Sequence, residues 1–389
     1  MSDKKPVKMQ VKANIEKNMN AVAQTMMSLR KSQAWPAEML MDQAITQSVH
    51  FLDEHLENLT NTADILLETK DFSQKSAEDI ETLFRAWHIN KNPPSLLALC
   101  VFALDHLNVS VKPDDMSIVI ASAILGQVYN EPSYHNDMHF RKVLAQTIRL
   151  IANNNDIFKS TARELNAKDI CTLLSAACIH DLDHNGQGNF IKGVHVEGHA
   201  EKHSFNIAKP YLQKAGCDND TLMNIYIMLL TTDVSPMDDP TNPMMQMKAA
   251  YKFHYLGGRD KTHTLNLSTD ISKLEKDQKL TSLCILLHEA DIATSAAVTY
   301  DVTKFETSLI MEEFKKDKAF PKDVVSFLDD ICQRRFLSDA GMRLFSANMA
   351  RIYALAEEDA SNGNEAYPAS KYANFALPKS IANEGKTIN

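Results

Sequence analysis

Three clusters of histidine and aspartate stand out in a chain of 389 residues, and each pairs groups that bind metal ions with groups that move protons. In the first, Tyr134-His135-Asn136-Asp137-Met138-His139, two histidines lie four residues apart at an expected helix start. Side chains at that spacing share a helix face, so both imidazoles are expected to point into one cavity. The second, His180-Asp181-Leu182-Asp183-His184-Asn185-Gly186, follows the apolar run Ile170–Ile179. A His-Asp pair ending a buried helix is costly without partners, and a metal ion supplies partners to both. Neutral imidazole from His180 binds one ion, the Asp181 carboxylate can bridge two, and His184 is expected back on the same face one turn later. The third, Cys284-Ile-Leu-Leu-His288-Glu289-Ala290-Asp291, reads as another apolar helix ending in an acid. Taken singly, each cluster also fits a bland reading as surface histidines or a polar helix cap. Together, four ligands from three helices (His139, His180, Asp181 and Asp291) leave coordination positions open for water, as a catalytic metal site does.

Such ligands need a scaffold that brings distant helices together. Only 11 glycines occur, and long stretches lack proline, which favours long helices over strands. At 44% hydrophobic residues the chain can fill a core without disulfides. Its six cysteines are scattered with no CxxC pair, which suits a reducing compartment and gives no thiolate cage. Ile45, Val49, Leu52, Leu56 and Leu59 recur at amphipathic-helix spacing, and a buried helix is expected over Ser95–Leu104, after Pro93-Pro94. Further helices are expected at about 115–129, 137–153, 167–181, 197–214, 219–231, 278–298, 302–316, 321–333 and 338–357. The proline-bearing stretch Val234–Thr264 reads as a long, methionine-rich flap. Residues 1–75 are expected to form a partly flexible helical extension, locally basic over its first ~30 residues, with 76–358 the domain that carries the metal-binding clusters and 359–389 a polar tail.

The net charge of −9 argues against broad nucleic-acid binding, though bound cations can reverse the local field for a small anion. No apolar run approaches the ~20 residues of a membrane span, and the N-terminus lacks a secretory core. A cytoplasmic location is expected.

Taken in order, His135-Asn136-x-x-His139, His180-Asp181-x-x-His184-x-Gly186-x-x-Asn189 and His288-x-Ala290-Asp291 resemble the motifs of class I cyclic nucleotide phosphodiesterases. Glu201-Lys202-His203, Thr232-Asp233-Val234-Ser235, Ile310-Met311-Glu312-Glu313-Phe314 and Cys332-Gln333-Arg334-Arg335-Phe336 extend the resemblance across roughly residues 80–350. It implies an all-α, compact multi-helix domain of the phosphodiesterase/HD type, with its metal site at helix ends. It implies further that His139, His180, Asp181 and Asp291 hold a tight metal, zinc, and that Asp181 bridges to a second, magnesium or manganese. A bridging hydroxide would attack phosphorus while His135 protonates the 3′ oxygen, giving a nucleoside 5′-monophosphate from cAMP or cGMP. His184, Glu201 and Thr232 would orient these groups, with Glu201 suited to fixing a histidine tautomer. Gln333, Phe336, Ile310 and Tyr134 would form the substrate pocket, Gln333 pairing with a purine edge and Phe336 stacking on the base.

The chain departs from the family pattern in three places. His203-Ser204 stands where the family has paired histidines, only 16 positions separate His184 from Glu201, and Thr294 takes a position that is Asn in many adenine-preferring members. Two rival readings are another HD-type metal phosphohydrolase and a catalytically silent scaffold on the same fold. Gln333 and Phe336 separate the first from the leading reading, and the complete ligand set speaks against the second.

Overall fold

The helix Leu96–His106 sets the pattern, because every residue from Leu96 to Leu104 is buried. A helix apolar on all sides is stable only when other helices surround it. A computed structural model describes residues 19, 21–26, 38–90, 92–128, 130–234, 242–257, 267–316 and 318–364. Most of the basic N-terminal stretch, most of the 359–389 tail and parts of the 234–264 segment lie outside these residues.

After a helical turn at 21–26, the described chain runs through α1 (Glu38–His50), α2 (Leu52–Thr60), α3 (Ala63–Leu66), α4 (Gln74–Ile89), α5 (Leu96–His106) and α6 (Pro113–Gly126). Then come α7 (Asp137–Ile157), α8 (Ala167–Ile179), a hairpin of β1 (Phe190–Ile191) and β2 (Val194–His195), α9 (His199–Lys214), α10 (Asn219–Leu230) and α11 (Pro243–Tyr255). The chain closes with a 3₁₀ segment (Thr269–Glu275), α12 (Gln278–Ala296), α13 (Tyr300–Glu313), α14 (Pro321–Ser326), a π-turn (Phe327–Ile331) and α15 (Asp339–Ser361). The architecture is all-α, as expected. No helix among the described residues is long and apolar enough to cross a membrane.

The three helices α7, α8 and α12 pack against one another, α6 lies against α8, and α11 and α15 flank α12. One apolar core runs through them and takes in Met41, Leu52, Leu59 and Leu66 from the N-terminal helices. The α6–α8 contact depends on Gly126. A Cβ at that position would stand 1.9 Å from the Cys178 carbonyl oxygen, so only glycine allows so close an approach.

Several expectations about elements need correction. The 234–264 stretch contains a regular helix, α11. Asn242 caps it by accepting from the Met244 and Met245 N–H groups, and Pro243 occupies its first turn, where proline favours a helix start. The expected helix over 321–333 stops at Ser326; the chain passes through the π-turn, and Gln333 and Arg334 both take φ of 53°. Left-handed backbone at two successive residues cannot continue a right-handed helix. Helix α12 runs to Ala296, close to the expected 278–298, so the acid Asp291 lies within the helix and not at its end. Between His184 and Glu201 the short connection folds into the hairpin, whose turn residues Lys192 and Gly193 have φ of 52° and 80°, as a two-residue hairpin turn requires.

Candidate active site

Each candidate ligand is placed by a local feature. The Asn136 side chain caps α7 by accepting from the Met138 and His139 N–H groups at 2.9 and 3.2 Å. The helix therefore starts at Asp137; His139 lies in its first turn, and His135 lies ahead of it rather than on its face as the spacing suggested. His180 is the C-cap of α8, directly after the buried run Ile170–Ile179. Its Nδ1–H donates to the Ala177 carbonyl at 3.0 Å. A carbonyl can only accept, so this bond fixes the proton on Nδ1 and leaves the Nε2 lone pair facing inward. Asp181 follows in the turn. Asp291 projects from the interior of α12, not from its end.

The four donor atoms lie within 4.8 Å of one another. His139 Nε2 is 3.3 Å from His180 Nε2, 3.4 Å from Asp181 Oδ2 and 3.2 Å from Asp291 Oδ1. His180 Nε2 is 3.1 Å from Asp181 Oδ2 and 3.8 Å from Asp291 Oδ1. Donors bound to one cation at about 2.1 Å stand roughly 3.0–3.4 Å apart in octahedral or tetrahedral geometry, so this set fits a divalent ion. Two imidazoles that are 0% exposed, facing two carboxylates, are also the donor chemistry such an ion selects.

The electrostatics reinforce this arrangement. Burial alone would lower both imidazoles, but the Asp181 and Asp291 carboxylates outweigh it, raising His139 and lifting His180 to about 9. Burial would raise Asp181, yet the two imidazoles hold it well below the usual carboxylate range. Protons and a cation therefore compete for the same lone pairs.

A second cluster adjoins the first: donor atoms of His135, His184 and Glu313 also lie within 4.8 Å of one another. Glu313 Oε2 accepts from His135 Nδ1 at 2.8 Å, while Oε1 accepts the Tyr134 and His135 N–H groups at 2.6 and 2.8 Å. Burial pushes Glu313 up, but these three bonds and the imidazole charge hold it below its ordinary value. His184 does not return to the face of His180. α8 has already ended, Asp183 turns the chain with φ of 59°, and the His184 ring meets that of His135 at 3.8 Å between centroids. His184 Nδ1 accepts from the Gly186 N–H at 3.1 Å, which puts the proton of the neutral ring on Nε2. Burial, then the neighbouring His135 charge, pushes His184 down to about 4, so it stays neutral. A cavity of about 870 Å³ opens beside His184 and Glu313, lined also by Asn130, Ser133, Asp183 and His203.

Glu201, in the first turn of α9, is buried, and its carboxylate accepts from Asn189 Nδ2 at 3.1 Å, so its partner is an amide rather than a histidine. Burial first, then the charges of Asp233 and Asp181, raise it well above the carboxylate range. The Thr232 hydroxyl donates back to the Leu229 carbonyl at 2.8 Å, and next to it the Asp233 carboxylate accepts the Gly198 N–H at 2.9 Å.

The remaining expected residues stand outside both clusters. The Tyr134 ring packs on His139 at 4.6 Å, and its hydroxyl lies 3.1 Å from Ser295 Oγ, turned into α12. Ile310 is half-buried on α13. Gln333, half-buried in the turn after the π-segment, directs Nε2 at the Met245 sulfur at 3.6 Å. Phe336 is 2% exposed and packs on Phe345 at 5.1 Å. In the sequence Glu313 stands inside the Ile310–Phe314 motif with nothing to mark it as a partner of His135. The only trace was an acid at the end of an otherwise ordinary helix, 178 residues from its histidine.

Fold and site together define an all-α protein with a buried His₂Asp₂ centre suited to a divalent metal. Among solved structures, the crystal structure of the phosphodiesterase domain of Salpingoeca rosetta rhodopsin phosphodiesterase matches at 20% identity and a TM-score of 0.49, covering 74% of this chain and 96% of that one. No family model and no curated protein matches the chain.

Proposed function

We propose that the chain hydrolyses 3′,5′-cyclic purine nucleotides to nucleoside 5′-monophosphates. The observation that carries this reading is the gathering of His139, His180, Asp181 and Asp291 beside a histidine, His135, held by Glu313. The ordered motifs quoted above support it. His139, His180, Asp181 and Asp291 would hold Zn²⁺, and Asp181 would be shared with a Mg²⁺ or Mn²⁺. Bound there, the cations would polarise the phosphoryl oxygens and lower the pKa of water.

The chain's own groups supply the proton chemistry. A carboxylate only accepts, so Glu313 keeps a proton on His135 Nδ1 and leaves Nε2 to face the reaction; as general acid, His135 would carry a second proton on Nε2. As water adds to phosphorus and the bond to the 3′ oxygen breaks, that Nε2 proton would pass to the departing oxygen, the water would release one of its own protons to solvent, and His135 would regain its proton from solvent before the next turnover. His184, neutral with its proton on Nε2, would donate to the attacking water or a phosphoryl oxygen. Asn189 and Glu201, hydrogen-bonded to each other, would steady the loop that carries His184. Gln333 would read the purine edge, Ile310 would line the base site, and Phe336 and Tyr134 would support its wall from the core.

Product analysis tests the proposal. Protein supplied with Zn²⁺ and Mg²⁺ or Mn²⁺ is expected to convert cAMP, cGMP or both to the 5′-monophosphate. Metal-loaded protein that leaves both nucleotides intact would refute it.

A further inference from the structure

The turn that carries Gln333 is gripped at both ends by buried charged side chains from two different helices. At its start, Lys248 of α11 donates from Nζ to the Ile331 carbonyl at 3.0 Å. At its end, Glu289 of α12 accepts the Ser338 N–H at 2.9 Å, the Leu337 N–H on the same oxygen, and the Ser338 hydroxyl on the other. Ser338 in turn caps α15 through Gly341 N–H at 2.8 Å. Lys248 is 5% exposed and Glu289 1%, so both side chains are withdrawn from bulk water. Between the two grips the backbone is left-handed at Gln333 and Arg334, a conformation that side-chain-bearing residues keep only when their surroundings impose it. Gly341 makes room for the carboxylate, since a Cβ there would lie 2.2 Å from Glu289 Oε2.

We propose that Lys248 and Glu289 are positioning residues that clamp the 331–338 turn and so hold the Gln333 amide where a purine edge is read. The proposal rests on the reading of Gln333 as the base contact. Glu289 and the ligand Asp291 lie two residues apart on α12, so they project to different sides of one rigid helix. That helix therefore sets the distance between the phosphate end and the base end of a bound nucleotide. Met245, one turn before Lys248 on α11, gives the Gln333 amide only a thioether, a weak acceptor. The amide is thus oriented chiefly by the backbone that carries it, which is the part the clamp fixes.

The test uses Lys248→Met, Glu289→Ala and Gly341→Ala, the last displacing the carboxylate without removing its charge. Glu289→Gln is the conservative control, since its amide oxygen can still accept the Leu337 and Ser338 N–H groups. Limited trypsin digestion reads the turn directly, because Arg334 and Arg335 are exposed within it. Cleavage after these two residues is expected to accelerate about tenfold or more in the three disruptive variants and to stay near the parent rate in Glu289→Gln. In the same variants KM for the cyclic purine nucleotides should rise about tenfold. Turnover of bis(4-nitrophenyl) phosphate, which has no purine, should stay within about twofold. Unchanged cleavage at this turn, or cleavage that rises equally along the whole chain, overturns the clamp. If cleavage accelerates while Gln333→Ala leaves KM unaltered, the clamp stands and the base-contact reading falls.

Discussion

Glu313 Oε2 lies 2.8 Å from His135 Nδ1, and the other oxygen of the same carboxylate holds the His135 and Tyr134 N–H groups. One acid at the end of α13 therefore fixes the ring, the tautomer and the backbone of the proposed proton donor. Glu313→Gln keeps the shape but removes the negative charge that faces the His135 ring. It should lower kcat about a hundredfold, within the usual range for loss of general acid help, while metal content holds. A kcat within twofold of the parent would remove Glu313 from the mechanism.

Competition between protons and cations at the four candidate ligands would make metal affinity depend on pH. His180, raised to about 9, carries a proton at neutral pH that an entering ion must displace. Apparent Zn²⁺ affinity should therefore increase with pH up to about 9. Calorimetric titration in buffers of different ionisation enthalpy should show proton release on binding. Affinity that stays flat between pH 6 and 9 would contradict the arrangement.

Away from the site, His88 sets a pH term in stability. Burial first, then the positive charges of Lys142, Arg141 and Arg85, pushes it down to about 3. Between that value and about 6.5 the unfolded chain binds a proton that the folded chain does not, so stability rises with pH across this window and is lost as pH falls. The loss from pH 6.5 to pH 5 should be roughly 2 kcal/mol. Urea unfolding of His88→Leu should show a shallower acid dependence than the parent; an identical slope would rule this term out.

Gly126→Ala tests the packing beneath His180. The added methyl would meet the Cys178 carbonyl oxygen, so α6 and α8 must separate. Overpacking of this kind should destabilise the chain by about 2 kcal/mol in chemical unfolding. Metal affinity should fall as well, because Cys178 lies two residues before a ligand. A variant as stable as its parent would show that the helices part at little cost.

How much of this was legible depended on how local each feature is. His139, His180, Asp181 and Asp291 could be read because each follows or opens an apolar helical run, and burying such groups demands a partner. The exact ends of those runs could not. Asn136 caps α7 one residue after His135, and only the folded chain shows that the cap separates the two histidines. Pro243 was read as a loop marker although its place beside Asn242 starts a helix, since proline serves both roles. Glu313 and Glu289 were opaque for a different reason. Their partners lie 178 and about fifty residues away along the chain, and no periodicity encodes a carboxylate meeting backbone N–H groups across the core.

The central claim is that the His139, His180, Asp181 and Asp291 cluster holds the metal on which hydrolysis of a cyclic purine nucleotide depends. The most direct measurement follows 5′-monophosphate formation and bound metal together in the parent, Asp291→Ala and His135→Ala. Asp291→Ala should lose metal and product formation together, and His135→Ala should keep its metal while product formation falls by a factor of about a hundred or more. An Asp291→Ala protein that retains full metal and full turnover would contradict the account.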